Sequence, residues 1–184
     1  VKVTNQNFYM EKNTMALKLT YYGQNDTQWS PDVLLTGDPG TDQQTLTANG
    51  YLGGKIVALA APAVATQYEA VIVPANGDTA GVIPFGSLIN GPGEFAGAIG
   101  PSGSKKAPIV RALWQGNVNS EAYDAGATWS TTTSIGAYLY NGGATAGIGF
   151  YTNAARKGAN SVIVGICTHV PTTAEPWLGV ASLL

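Results

Sequence analysis

Glycine and proline punctuate this chain so densely that a long helix has nowhere to form. There are 24 Gly and 10 Pro in 184 residues. Nearly every window of a dozen residues is interrupted, and each interruption costs a helix interior about 1 to 3 kcal/mol. No segment sustains a 3.6-residue apolar period. The best helix candidates are the short stretches Ser120–Ala125 and Thr152–Lys157, about one or two turns each.

Strands fit the punctuation better. ALKLTYY (16–22) alternates and stops at Gly23. Lys55–Ala61 is an apolar run, and Gln67–Val73 follows it. Asn76-Gly77-Asp78 separates Ala70–Val73 from Ala80–Ile83, and Asn and Gly tolerate the positive φ of a tight hairpin. Ala107–Trp114 is a further apolar run, closed by Gly116-Asn117. Ile135–Tyr140 is expected to meet Ala146–Thr152 across Asn141-Gly142-Gly143, and Ser161–Val170 to pair with Trp177–Leu183 across 171–176. In SVIVGICTHV (161–170) both faces are largely apolar, which predicts a central or sandwiched strand.

Many short strands between Gly/Pro turns predict an all-β, mainly antiparallel fold. The expectation is a small β-sandwich or barrel with long loops, little helix and an extended N-terminal arm. That arm is placed at 1–15. An N-terminal β region at 16–90 carries a long loop at 24–50, with Asp26, Asp32, Asp38 and Asp42 and no Lys or Arg. Residues 86–106 are Gly-rich, with 91–106 expected as a linker or loop, and 107–184 form a C-terminal β unit.

Charge narrows the function. Only 11% of residues are charged, against roughly 25% in an ordinary soluble domain. Free monomers rely on surface charge to stay apart, so a chain this poor in charge is expected to present much of its surface to other protein. Net charge is −2 with no long basic run, which argues against nucleic acid or an anionic membrane as partner. The longest apolar stretch, 56–65, contains Pro62 and is about half the length of a spanning helix. The opening VKVTNQNFYMEKN lacks the apolar core of a signal peptide, and Val1 fits removal of an initiator Met.

Catalytic equipment is sparse. Cys167 and His169, the lone Cys and His, stand two apart, so a regular strand would turn both to one face. Their Cβ atoms would lie about 7 Å apart, long for a thiolate–imidazole pair, and a buried Cys beside a rim His is the expected arrangement. One Cys and one His are too few for zinc. The aspartates of 26–42 are spaced six, six and four apart, unlike a calcium loop. Glu69, Glu94, Glu121, Asp124 and Glu175 carry no motif for sugar hydrolysis. Gly91-Pro92-Gly93 and Gly147-Ile148-Gly149 open no helix that could cradle phosphate. The expectation is a protein that is not an enzyme, with no cofactor, metal or small-molecule substrate. Trp29, Trp114, Trp129 and Trp177, with Tyr21, Tyr22, Tyr138, Tyr140 and Tyr151, are expected in the core or at subunit interfaces rather than in a ligand platform.

Three stretches, PSGSKKAPIVRALWQGNVN (101–119), GAYLYNGGATAGIGFY (136–151) and SVIVGICTHVPTTAEPWLGVASLL (161–184), carry a resemblance. Together they resemble the decoration, or cement, proteins of tailed-bacteriophage heads, in an apolar strand followed by a small-residue turn and in a Gly-Val-Ala-rich final strand. The resemblance covers about a third of the chain. It implies a virion protein on the outer surface of the assembled capsid, self-associated as a dimer or trimer, that clamps neighbouring subunits of the major capsid protein. The major-capsid role itself is disfavoured, because no long spine helix is legible.

A low-charge surface suits clamping, since it is covered by protein at little desolvation cost. Val3, Phe8, Tyr9 and Met15 are expected to anchor the arm on a neighbour's sheet edge. Lys105, Lys106, Arg111, Arg156 and Lys157 are candidates for steering onto an acidic capsid surface, or are ordinary solubilising charge. The rival expectation is a β-sandwich module of a virion that binds carbohydrate or a host receptor through Trp29, Trp129 and polar neighbours. A third is a coat or filament subunit that assembles without a partner.

Overall fold

The computed structural model describes residues 17–22, 34–35, 53–60, 71–88, 109–110 and 113–184. The arm at 1–15 and the segment 91–106 lie outside the described residues, as does the acidic loop apart from 34–35. The chain forms the strands β1 (Leu17–Tyr22), β2 (Leu34–Leu35), β3 (Ile56–Ala60), β4 (Val71–Pro74), β5 (Pro84–Leu88), β6 (Ile109–Val110), β7 (Trp114–Val118), β8 (Tyr138–Asn141), β9 (Tyr151–Thr152), β10 (Ile163–His169) and β11 (Leu178–Ser182). Among the described residues there is no helix. The fold is all-β and sandwich-like, as the punctuation predicts.

Two sheets make the sandwich. A six-stranded sheet runs β1-β7-β11-β10-β8-β9, and a five-stranded sheet runs β2-β4-β3-β5-β6. Strand neighbours are antiparallel except for the parallel β2–β4 pair. Period-2 alternation decides what faces inward. In β7, Trp114, Gly116 and Val118 are buried while Gln115 is exposed and Asn117 half-buried. In β11, Leu178 and Val180 are buried without residual exposure. These side chains meet Leu139, Val164, Cys167 and Tyr151 of the same sheet and Ile56, Ala58 and Val110 of the other in one apolar core.

The segment joining β8 to β9 stitches the sheets together. Gly149 donates its N–H to Ala75 O at 3.0 Å and accepts from Ile56 N at 2.8 Å. Its φ is +76°, and a Cβ there would stand 2.8 Å from Ile56 O, so only glycine fits both the backbone and the gap.

Several expectations change. Neither helix forms: Ser120–Ala125 is a turn region, and in Thr152–Lys157 the first residue ends β9 and a turn follows at 154–156. An asparagine closes a single turn in each region: Asn119 Oδ1 accepts from Glu121 N and Asn153 Oδ1 from Ala155 N. Such side-chain bonds compete with helix propagation. Asn76-Gly77-Asp78 is no hairpin turn. β4 pairs with β3 and β2, and the next strand begins only at Pro84 and pairs with β3 and β6. Ala107–Trp114 is not one strand: its start gives β6 in the smaller sheet and its end opens β7 in the larger. Gly116-Asn117 lies inside β7, with Gly116 opposite Val180. The β8–β9 and β10–β11 pairings are as expected, and β10 lies between β11 and β8.

Candidate partner-binding surface

The face of the six-stranded sheet turned away from the core is apolar at its centre. One cross-strand row there runs Tyr138–Ile166–Ala181–Gln115 through β8, β10, β11 and β7. Tyr138 is 54% exposed, and Ile163, which stands opposite Tyr140 on the same face, is 42% exposed. Ile135, Val162 and Leu183 are exposed beside the same strands. Gly136 N bonds Cys167 O, Val162 N bonds Asn141 Oδ1, and Leu183 N bonds Val164 O. Isolated surface hydrophobics are ordinary; several on adjoining strands are not.

A β-bulge sorts Cys167 from His169. The register slips between these two residues, so Cys167 pairs with inward Val180 and His169 with Gly179. The expected shared face is therefore lost. Cys167 is 1% exposed in the core, burial pushes its thiol pKa up, and its Sγ donates to His169 O at 3.4 Å. His169 Nε2 lies 3.3 Å from Glu175 Oε2 on the outer face. The two atoms lack hydrogen-bond alignment, so the contact is an ion pair when the imidazole is protonated.

Arg156 and Lys157 follow β9 and have different surroundings. Arg156 Nε donates to Asp124 Oδ2 at 2.6 Å, and Nη2 donates to Thr145 O at 2.9 Å. The hydrogen bond to Asp124, then its charge, push the guanidinium pKa up. Asp124, buried, also accepts from Thr152 Oγ1 and Gly126 N, both at 3.0 Å. Arg156 thus braces the loop 123–130. Lys157 is exposed, with Nζ 4.6 Å from the centroid of the Tyr140 ring, a cation–π contact at the edge of the apolar face.

The other expected contact residues, Val3, Phe8, Tyr9, Met15, Lys105, Lys106 and Arg111, lie outside the described residues, as does Trp29. Trp114 is buried, edge-on to Tyr151 at 6.4 Å. Trp129 packs edge-on to Tyr123 and donates Nε1 to Asp124 O at 3.0 Å. Neither lies on the outer apolar row. Among the described residues, no three His, Cys, Asp or Glu side chains stand together as a metal site, and no helix is long and apolar enough to cross a membrane.

Sequence reasoning passed over Ile135, Ile163, Ile166 and Leu183. The signal was present in SVIVGICTHV: a strand apolar on both faces must be covered on both, and the smaller sheet covers only one. Asp124 carried no such signal, because its partners come from 28 and 32 residues further along the chain. Searches of family models, curated proteins and solved structures return no match to this chain.

Proposed function

We propose that this is a structural virion protein that binds the outside of an assembled tailed-phage capsid and clamps neighbouring major-capsid subunits. The observation that carries the reading is the exposed apolar face of the larger sheet, centred on Tyr138 and Ile163, on a chain with only 11% charged residues. Such a face is covered by protein with little desolvation cost. A standard interface on it buries roughly 1,200–2,000 Å² in total. Several weak contacts per oligomer add avidity of about 10²- to 10⁴-fold. Lys157 at the rim gives the face a cation that attracts an acidic shell surface.

The test is titration of purified, undecorated tailed-phage shells with the full chain, read by co-sedimentation. Saturation at a fixed copy number per capsomer, weakened by removal of residues 1–12, is the expected result. No binding, together with specific capture by a glycan array, would replace this reading with the carbohydrate-binding one.

A further inference from the structure

We propose that the Asn76-Gly77 peptide is a site of spontaneous modification, held unreacted by the contact between its loop and residues 142–144, and that its conversion to isoaspartate stops that contact from closing again. The site belongs to the chain's own covalent chemistry and is independent of what the outer sheet face binds.

The reaction needs only water. The Gly77 nitrogen gives up its proton to solvent hydroxide and attacks Asn76 Cγ. The N–Cγ bond forms, the Cγ–Nδ2 bond breaks, and Nδ2 leaves as ammonia. Water then opens the cyclic imide at either carbonyl, giving aspartate or isoaspartate. Asparagine is among the thermolabile residues, and a following glycine favours the attack because it has no side chain to crowd it and turns freely into the required conformation.

Half of the arrangement for this attack is already in place. Asn76 Oδ1 accepts from Asp78 N at 2.9 Å, a donor aimed at the oxygen on which negative charge develops when Cγ is attacked. The nucleophile is held back. Gly77 is buried, and its N donates to Gly142 O at 2.9 Å. The loop is fastened from two more sides: Gly77 O accepts from Asn160 N and Asp78 O from Asn160 Nδ2, both at 2.8 Å, and Asp78 Oδ2 accepts from Ala144 N at 2.6 Å. Parting of this clasp is the gate, since it exposes Gly77 N to hydroxide while the bond within 76–78 stays intact.

Asn141-Gly142 gives an internal comparison. Asn141 Oδ1 accepts from Val162 N and Gly142 N donates to Phe150 O, both at 2.8 Å, so its carbonyl is polarised and its nitrogen held in the same way. Asn141, however, ends β8, pairs with Tyr151 of β9 and is 1% exposed. Freeing Gly142 N parts two strands at the core, whereas freeing Gly77 N parts loops, and Asn76 is only half-buried. Loops open at lower free energy than core strands, so Asn76 reacts first.

The product cannot be clasped. Isoaspartate adds one carbon to the main chain ahead of Gly77, where there is not even room for a Cβ beside Ser161 Oγ and Asn141 O. The lengthened chain cannot keep Gly77 N on Gly142 O and Gly77 O on Asn160 N together. The new carboxylate also stands close to that of Asp78, and like charges repel.

The test ages the full chain at pH 8 and about 37 °C, folded and in urea, and follows each asparagine by peptide mass spectrometry with fragmentation. Conversion at 76 is expected to be at least about tenfold slower in the folded chain than in the unfolded one, and conversion at 141 slower again. In urea the two sites are expected to convert at similar rates. Asn160→Ala removes an exposed side chain that bonds neither Asn-Gly pair, and near-ultraviolet circular dichroism checks its fold. It is expected to speed conversion at 76 in the folded chain by about two- to tenfold and to leave the rate at 141, and both rates in urea, unchanged. The fraction whose only change is isoaspartate at 76, separated by its added charge, is expected to exchange the Asn160 and Ala144 amide hydrogens faster than the unconverted chain, with β10 and β11 still protected. Equal rates at 76 in folded and unfolded chain overturn the gate. So do a rate at 141 that matches that at 76 in the folded chain, indifference to Asn160→Ala, and a folded chain, wild type or variant, that never converts at 76. A converted chain that still protects the Asn160 and Ala144 amides overturns the latch.

Discussion

The hydroxyls of Ser87 and Tyr151 lie 2.6 Å apart across the interior, joining residues 64 positions apart from opposite sheets. Neither residue has any exposed surface. Tyr151 also sets its ring edge-on to Trp114, donates its backbone N–H to Ala122 O and accepts from Asp124 N. A strand of only two residues, β9, therefore ties both sheets and the 119–130 loop to one residue, through its side chain and its backbone. Both hydroxyls are shut away from water, so the bond satisfies groups that solvent cannot reach.

Replacing Tyr151 with Phe leaves Ser87 Oγ buried without that partner, which costs about 1 to 3 kcal/mol. Adding Ser87→Ala removes the stranded group and is expected to recover part of the loss. Burial also holds the phenol well above its ordinary pKa. The stability this contributes is complete below pH 10 and is lost as rising pH ionises the unfolded tyrosine first. Urea denaturation at pH 7 and pH 10.5 measures both effects. A double variant less stable than Tyr151→Phe alone would contradict the account.

Asp124 and Arg156 form the second brace, and its two halves are unequal. Asp124 is buried and accepts from Thr152, Gly126 and Arg156. Asp124→Ala strands the fully buried Thr152 hydroxyl, with an expected cost of about 2 to 3 kcal/mol. Arg156 is a third exposed, so water takes over much of what the guanidinium supplies, and Arg156→Ala is expected to cost less. Equilibrium denaturation of the two variants gives the order; the reverse order would show that Arg156, not Asp124, organises the loop.

Local pattern made β10 and β11 legible: 161–170 and 177–183 are apolar runs separated by a short polar, proline-bounded segment, and adjacent antiparallel strands are the simplest outcome. Asn76-Gly77-Asp78 misled for the converse reason. The residues do make a turn, but composition cannot say what the turn packs on. Here Gly77 N bonds Gly142 O, Gly77 O accepts from Asn160 N, and Asp78 Oδ2 accepts from Ala144 N, all contacts of long sequence separation. The slip between Cys167 and His169 was equally hidden, because a bulge is set by the partner strand and leaves no mark in the residues it displaces. The outer apolar row could be read only once the register of four strands was known.

Gly77 gives that clasp a sharp test. A Cβ at this position would fall on Ser161 Oγ and the backbone O of Asn141, and backbone cannot yield cheaply. Gly77→Ala is expected to cost about 3 kcal/mol or more. Gly81, also in the 75–83 segment, has φ +77° with nothing within 4 Å of an added methyl, so Gly81→Ala carries only the left-handed penalty of about 1 to 2 kcal/mol. Thermal unfolding of the pair separates the two costs. Equal shifts would mean that the clasp opens readily.

Lys55 predicts a pH dependence of opposite sign to that of Tyr151. The residue is only 8% exposed, with its ammonium 4.6 Å from the centroid of the Phe150 ring. Burial lowers its pKa, and Glu121 offsets part of that. The unfolded chain therefore keeps the lysine proton to higher pH than the folded chain does. Stability from this site rises as pH climbs from the lowered folded value to about 10.5. Lys55→Met is expected to abolish that rise, so the wild type should gain on the variant between pH 7 and pH 10. A constant difference in denaturation midpoint across that range would show that Lys55 carries no burial penalty.

Cys167 reports on global opening, because two independent effects silence its thiol in the folded chain. Its side chain lies in the core at 1% exposure, and burial raises its pKa and so depletes the reactive thiolate. The bulge that turns His169 to the outer face also removes the one imidazole that could have activated it. The native protein is expected to resist a thiol reagent such as dithionitrobenzoate, and the unfolded chain to react with one equivalent, matching its single Cys. Where reclosing is fast, the native rate should fall with the free energy of unfolding. It should therefore rise in Asp124→Ala and Gly77→Ala in proportion to their measured loss of stability. Rapid labelling of the wild type, or labelling unchanged in those two variants, would place Cys167 in a locally open segment and detach it from the core described above.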